Sequence, residues 1–133
     1  MKKYILLIED EKFQSEFFSH IIENEFKKKK YIVKTVNSGN EALKILISDK
    51  KNDIGLILLD LSLFDISGFD LLKKLSDQNI KIPVAVLSAH EEHDIIEEAK
   101  KLGAKEYFIK GKDVNELYRL NKFIDKMMQK YFH

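Results

Sequence analysis

The chain has 133 residues, of which 44% are hydrophobic and 34% are charged, and its formal net charge at neutral pH is +1. This composition is typical of a globular protein rather than a disordered one, and the length predicts a single domain over residues 1–133. The small net charge gives no global electrostatic field that would attract nucleic acid or an anionic membrane. The absence of cysteine excludes disulfides, thiol nucleophiles and thiolate metal sites.

The first predicted strand is the apolar run Tyr4–Ile8, which ends directly at two acids, Glu9 and Asp10. A short apolar run with polar flanks is typical of a strand buried on both faces of a parallel sheet. The next segment, from about residue 11 to residue 28, has the periodicity of a helix. It carries two i, i+4 rows that we expect to cover the sheet together, namely Phe13, Phe17 and Ile21, and Phe18, Ile22 and Phe26.

Four lysines at residues 27–30 follow this helix. A basic run is one possible signature of a nucleic-acid or membrane partner. Because Glu23 and Glu25 lie next to it and cations are favourable at a helix C-terminus, we interpret it as a solvated helix end. We therefore expect no direct binding of nucleic acid or membrane.

Strand and helix patterns continue to alternate along the rest of the chain. Ser38 and Glu41 have the spacing of a capping box, which predicts a helix start, and Gly103 predicts a helix end. The predicted strands lie at residues 31–36, 53–60, 83–87 and 107–109, and the predicted helices begin near residues 39, 68, 91 and 113. Five strands that alternate with five helices predict a doubly wound α/β domain with a parallel sheet.

In such a domain, ligands bind beyond the carboxyl ends of the strands. Polar residues follow four of the predicted strands, and they are Glu9 with Asp10, Asp60, Ser88 and Lys110. Carboxylates this close cannot all stay ionised cheaply without a compensating cation, and a hard divalent ion bound by oxygens is the natural one. The set predicts phosphoryl transfer, with Asp60 as the nucleophile that becomes an aspartyl phosphate and Lys110 and Ser88 as donors to phosphoryl oxygens.

The chain resembles the response-regulator receiver domains of two-component signalling over essentially its whole length. The residues that carry the resemblance are Glu9 and Asp10, Asp60, Gly68, Pro83 with Ser88 and Ala89, and Tyr107 three residues before Lys110. The resemblance implies a flavodoxin-like sheet with the strand order 2-1-3-4-5. It also implies that a sensor kinase or phosphotransfer protein donates a phosphoryl group from phosphohistidine to Asp60, in a reaction that requires Mg²⁺ (or Mn²⁺).

The same resemblance implies roles for individual residues. Glu9, Asp10, Asp60 and the backbone carbonyl of Ser62 would bind the metal, and Ser88 and Tyr107 would form the hydroxyl–aromatic switch. Ser62 and His90 would influence the lifetime of the aspartyl phosphate. The domain would not be an enzyme acting on a separate substrate, since it would catalyse only its own phosphorylation and dephosphorylation. Its partners would include a downstream target or output domain.

Three positions depart from the family pattern. Glu9 replaces the commoner aspartate, Leu63 and Phe64 replace the usual Met-Pro pair, and Gly111 replaces the proline that usually follows the lysine in a cis peptide. A cis bond to a non-proline residue costs about 2.5–4 kcal/mol. The position of Lys110 therefore depends on a turn that the family does not normally use.

Other functions are weighed against this one. A phosphorylation-independent pseudo-receiver is the nearest alternative, and the presence of both Asp60 and Lys110 argues against it. A flavin carrier shares the fold but requires a phosphate-binding loop where this chain has acids, and the chain has no G-x-x-x-x-G-K-[ST] motif for a nucleotide hydrolase. His90 and His93 suggest a second metal site, although exposed residues at a helix start are the simpler interpretation.

The last helix, predicted for residues 113–131, has apolar residues spaced three and four apart, the pattern of a coiled-coil seam: Leu117, Leu120, Ile124, Met127 and Tyr131. At 1.5 Å per residue it would be about 27 Å long, longer than a typical strand of roughly 17–20 Å. Two alternatives follow for Met127, Met128, Tyr131 and Phe132. They overhang the sheet and join a partner such as a second copy in a homodimer, or they fold back onto their own domain. With no predicted signal peptide or membrane span, a cytoplasmic location is expected.

Overall fold

The computed structural model describes residues 3–29 and 31–131, in which five strands and five helices alternate as the sequence predicts. The strands are Tyr4–Ile8 (β1), Ile32–Val36 (β2), Ile54–Leu59 (β3), Val84–Ser88 (β4) and Glu106–Ile109 (β5). The helices are Lys12–Glu25 (α1), Gly39–Ile47 (α2), Gly68–Asp77 (α3), His93–Lys101 (α4) and Val114–Met128 (α5), which continues into a 3₁₀ turn, Gln129–Tyr131. Within these ranges, no helix combines the length and apolar character needed to cross a membrane.

All strands pair in parallel in the order β2-β1-β3-β4-β5, so the predicted flavodoxin-like topology is confirmed. The three inner strands are buried almost throughout, as their continuous apolar sequences predict. Helices α2, α3 and α4 cover one face of the sheet, and α1 and α5 cover the other. This arrangement brings the carboxyl ends of all five strands to one edge.

Side-chain caps define where several helices begin. The Glu11 carboxylate accepts hydrogen bonds from the N–H groups of Phe13 and Gln14 at the start of α1. Ser38 Oγ accepts from Glu41 N at 3.1 Å, and Asp113 Oδ1 accepts from Glu116 N at 3.1 Å. The helix starts predicted at Ser38 and near residue 113 are therefore confirmed. Each bond satisfies a backbone donor that has no partner within the helix.

The prediction that both apolar rows of α1 cover the sheet is wrong. Phe18, Ile22 and Phe26 are buried, but Phe13 is 70% exposed and Phe17 is 43% exposed. Adjacent positions on a helix point about 100° apart, so one row faces the sheet while its neighbour points sideways. The helix also ends at Glu25, earlier than predicted, and Lys27–Lys29 follow as exposed residues, while Lys30 lies outside the described residues.

Of the two alternatives for the C-terminal residues, folding back onto the domain is confirmed for Met127, Met128 and Tyr131, and the overhang is wrong. Helix α5 stops at Met128, and the following 3₁₀ turn directs Tyr131 back onto the sheet. Met127 is 6% exposed and Met128 is fully buried. The predicted homodimer was argued from this overhang, so it loses that basis among the described residues, which do not include Phe132.

Gly55 explains how the end of α5 fits against the sheet. The register between β1 and β3 shifts at this point, because Tyr4 pairs with Ile54 whereas Ile5 pairs with Leu56. Gly55 is thus an extra residue in β3, as in a β-bulge. A Cβ atom added to Gly55 would lie 2.7 Å from the Tyr131 ring and 2.9 Å from Met128 Sδ. The missing side chain leaves the space that these two residues fill.

Candidate functional site

Three carboxylates meet at the carboxyl edge of the sheet, where β1 and β3 end side by side. Ile8 pairs with Leu59, and Asp60 N donates to Ile8 O at 3.1 Å, so Glu9 and Asp60 lie next to each other. Carboxylate oxygens of Glu9, Asp10 and Asp60 all lie within 4.8 Å of one another. Glu9 is only 3% exposed and Asp60 only 7% exposed.

Lys110 reaches the same cluster from the end of β5. Its backbone N–H donates to Ser88 O at 2.8 Å, which continues the pairing of β4 and β5 beyond the last strand residue. Its ammonium forms a close ion pair with Glu9 Oε1 and lies 3.6 Å from Asp60 Oδ2. The chain turns after this residue at Gly111, whose φ is +69°, a value that glycine adopts without steric cost. Lys110 is therefore positioned without the usual proline.

The charges of this cluster do not balance. Three carboxylates face one ammonium, and burial raises the pKa of Glu9, with the neighbouring Asp60 adding to the rise while the bond to Lys110 opposes it. A divalent cation would supply the missing positive charge, and carboxylate oxygens are the ligands that Mg²⁺ and Mn²⁺ prefer. The donor set therefore fits the predicted metal.

Backbone N–H groups of the loop between β3 and α3 orient two of these carboxylates. Ser62 N donates to Asp60 Oδ1 at 3.2 Å, and Phe64 N donates to Asp10 Oδ2 at 2.8 Å. The sequence analysis missed the second contact, since a backbone donor has no characteristic side chain and lies 54 residues from its acceptor. The phenyl ring of Phe64, at the position of the usual proline, is exposed.

The two predicted switch residues are connected through His90. Ser88 is fully buried at the end of β4, and its Oγ accepts from His90 N at 3.2 Å. Tyr107 in β5 is 3% exposed, and its hydroxyl donates to His90 O at 2.8 Å. Burial raises the pKa of the Tyr107 hydroxyl, because the charged phenolate would lose its hydration there. The loop after β4 is thus bound to both switch side chains.

The two residues expected to affect phosphoryl lifetime also meet. Ser62 Oγ lies 3.4 Å from His90 Nε2, so the loops that follow β3 and β4 are in contact beside Asp60. His90 Nδ1 lies 3.5 Å from Glu92, and His93 lies 3.9 Å from Glu97. In residues 3–29 and 31–131, the group of side chains with metal-ligand spacing is Glu9, Asp10 and Asp60, and neither histidine belongs to it.

Comparison with known proteins gives the same family as the fold and the site. The family model described as the response regulator receiver domain matches residues 5–122. Response regulator SaeR of Staphylococcus epidermidis is 36% identical over 126 residues, and that of Staphylococcus aureus is 33% identical over 132 residues. These alignments cover 93% and 98% of this chain but 51% and 54% of the relatives. The chain therefore spans about half the length of the curated relatives it matches.

Solved structures of response regulators superpose on most of the chain. The phosphorylated cyanobacterial phytochrome response regulator RcpA is 30% identical, with a TM-score of 0.79 over 95% of this chain and 93% of that one. The Mn²⁺-bound form of response regulator Rcp1 is 26% identical, with a TM-score of 0.71 over 93% and 92% of the two chains. On its fold, its sequence and the strand-end residues of its acidic site, this chain belongs to the response regulator receiver domains of two-component signalling.

Proposed function

We propose that this receiver domain accepts a phosphoryl group on Asp60 from a phosphohistidine of a sensor kinase or phosphotransfer protein, in a reaction that depends on Mg²⁺ or Mn²⁺. The observation that carries the proposal is the buried contact of Asp60 with Glu9, Asp10 and Lys110 at the sheet edge. The phosphorylated RcpA and the Mn²⁺-bound Rcp1, both similar to this chain, support the same chemistry. We also propose that residues 1–133 form a single receiver domain and that the protein is cytoplasmic.

The transfer would be a displacement at phosphorus. An Asp60 oxygen forms a bond to phosphorus while the bond from phosphorus to the imidazole nitrogen breaks, and the electron pair of that bond remains on the imidazole. Lys110, within reach of Asp60, would donate a charge-assisted hydrogen bond to a phosphoryl oxygen. Glu9 would position Lys110 through their ion pair. The domain thus acts only on its own Asp60.

The metal would be held by Glu9, Asp10 and Asp60, with the carbonyl of Ser62 as a further predicted ligand. When bound, it supplies positive charge that neutralises the carboxylates and the phosphoryl oxygens. Hydrogen bonds from Ser62 N and Phe64 N hold Asp60 and Asp10 in fixed orientations. This preorganisation supports the assignment of the acids as a working site.

The switch would work through a displacement of Ser88. A phosphoryl group on Asp60 provides a new acceptor for the Ser88 hydroxyl, whose oxygen now accepts from His90 N. Movement of Ser88 would therefore shift the loop that Tyr107 also binds, and so change the surface presented to a downstream target or output domain. Ser62 and His90, in contact beside Asp60, would limit the access of water to the aspartyl phosphate.

Phosphorylation can be tested with intact-protein mass spectrometry after incubation with phosphoramidate, whose P–N bond resembles that of phosphohistidine. We expect the wild type with Mg²⁺ to gain the mass of one phosphoryl group, and Asp60→Asn or chelation of the metal to abolish the gain. Asp53→Asn is a matched control, because Asp53 precedes β3 at the opposite end of the same strand.

Two results would overturn the proposal. Labelling of Asp60→Asn to the wild-type extent would assign the phosphoryl group to another residue. Failure of the folded wild type to label with either phosphoramidate or acetyl phosphate, in the presence of Mg²⁺, would favour the phosphorylation-independent pseudo-receiver. If Lys110→Met labels to the wild-type extent, Lys110 has no role in the phosphoryl transfer, and the assignment of Asp60 as the acceptor is unaffected.

A further inference from the structure

The side chain of Asp65 connects the loop between β3 and α3 to the start of α2. Asp65 Oδ1 accepts from Gly39 N at 3.0 Å, and Asp65 Oδ2 accepts from Asn40 N at 2.9 Å. These N–H groups belong to the first two residues of α2, and neither has a partner within the helix. The contact thus joins two segments that lie about 25 residues apart in the chain.

Packing and charge support this contact. A Cβ atom added to Gly39 would collide with Ile66 Cγ2, so the loop lies directly against the first residue of α2. Burial would raise the pKa of Asp65, but hydrogen bonds from Asn40 N, Gly39 N and the loop backbone outweigh it and lower the pKa. An ionised carboxylate is also favourable at a helix N-terminus.

The residue before Asp65 contacts the acidic cluster. Phe64 N donates to Asp10 Oδ2 at 2.8 Å, and this bond restricts the orientation of a carboxylate that belongs to the metal-binding set. Phe64 contributes only its backbone here, since its ring is 77% exposed. The position of its N–H therefore depends on the conformation of the loop that carries it.

We infer that Asp65 is a positioning residue for the metal site, because its two bonds to α2 hold the loop in the conformation that directs Phe64 N toward Asp10. This inference rests on the proposed function, in which Asp10 is a metal ligand. Asp65 does not take part in the cluster itself and acts through its neighbour. Groups that contact a metal ligand commonly affect metal affinity, and Asp65 would act on such a group, the N–H of Phe64.

Ser38 supplies a matched control for this role. Its Oγ accepts from Glu41 N at 3.1 Å, so it satisfies the third N–H of the same helix start. Ser38 is the residue before α2, whereas Asp65 belongs to the loop. Ser38→Ala therefore removes a cap from α2 without removing the connection between α2 and the loop.

The test compares Asp65→Ala, Asp65→Asn and Ser38→Ala with the wild type by three measurements. These are exchange of the Phe64 amide by NMR in metal-free protein, the Kd for Mn²⁺ by isothermal titration calorimetry, and Tm. For Asp65→Ala we expect faster Phe64 exchange and a Kd about tenfold weaker, with a smaller change for Asp65→Asn, which retains one acceptor oxygen. For Ser38→Ala we expect a lower Tm with wild-type exchange and Kd.

The outcomes separate this inference from the proposed function. If Asp65→Ala and Ser38→Ala both lower Tm while Phe64 exchange and Kd stay at wild-type values, Asp65 is only a helix cap and the inference is overturned. If Asp65→Ala does not fold, the same comparison is made with Asp65→Asn. A wild type that binds no Mn²⁺ overturns the proposed metal site, and Phe64 exchange then still decides whether Asp65 holds the loop.

Discussion

Helices α1 and α5 lie on the same face of the sheet, yet the start of α1 and the end of α5 treat their apolar residues differently. Helix α1 leaves Phe13 and Phe17 at the surface, where their rings stack with centroids 6.4 Å apart. Helix α5 buries Met127 and Met128, and its 3₁₀ turn returns Tyr131 to the core. The start of α1 thus exposes aromatic residues, whereas the end of α5 buries flexible methionines.

The difference comes from what each helix faces. Helix α5 ends over Gly55, where β3 has no side chain, so long and adaptable side chains can fill the space. Helix α1 turns Phe18 and Ile22 to the sheet, and the ring of Phe17 packs nearly perpendicular to that of Phe18, with 5.1 Å between the ring centroids. Periodicity thus identifies an apolar stripe, whereas the shape of the facing sheet decides which part of the stripe is covered.

The largest expected effect comes from the buried row of α1. Phe18→Ala should lower the free energy of unfolding by about 3–5 kcal/mol, because it removes a side chain that is 3% exposed and leaves a cavity. Phe13→Ala, in the exposed row, should change it by no more than about 0.5 kcal/mol. Urea unfolding measures both changes in the free energy of unfolding, provided that the m-value stays constant. Equal losses of stability in the two variants would contradict the assignment of one buried and one exposed row.

The end of α5 should be the next most sensitive region. Met128→Ala should cost about 2–5 kcal/mol, since the side chain is fully buried against β3. Lys126→Ala, an exposed position two residues earlier, serves as the control. If the Met128 variant is as stable as this control, the Met128 side chain is not buried in the fold. That result would contradict the structure and favour the overhang.

Gly55→Ala tests the opposite side of the same contact. The added methyl group would lie too close to Tyr131 and Met128, and such overpacking typically costs about 1–3 kcal/mol. Combination with Met128→Ala should be less destabilising than the sum of the two single changes, because the smaller residue leaves room for the methyl group. Strict additivity in urea unfolding would show that the two positions do not touch.

The smallest effect concerns the start of α5, where Glu116 accepts from Ile109 N at 2.8 Å and pairs with Arg119. The bond from Arg119 is the main reason that the pKa of Glu116 is lowered from its ordinary value of 4.5, although burial opposes it. A depressed folded-state pKa stabilises the fold above the unfolded-state pKa, and this contribution is lost as the pH falls through the folded-state pKa.

Glu116→Gln should therefore cost about 1 kcal/mol at neutral pH. The difference from the wild type should shrink as the pH falls below 4.5, and chemical unfolding of both proteins at matched pH values measures it. A difference that stays constant to low pH would show that the ionised carboxylate does not connect α5 to β5.

Local sequence was sufficient for much of the fold and for most of the site. Continuous apolar runs such as Tyr4–Ile8 and Ile54–Leu59 predict buried strands, and Ser38 with Glu41 predicts a helix start, because these patterns depend on neighbouring residues only. Parallel topology then brings the residues that follow the strands to one edge. Glu9, Asp60 and Lys110 could for this reason be assigned to one site before their distances were known.

The tertiary structure decided the features that depend on contacts between distant segments. The exposure of Phe13 and the burial of Met128 depend on the surface each helix faces, and that surface includes a bulge at Gly55 which no local pattern marks. The orientation of Asp10 by Phe64 N and the bonds of Asp65 to α2 use backbone donors, which every residue type except proline carries. Sequence determines which chemical groups are present and in what order, but only packing determines which distant backbone group a carboxylate meets.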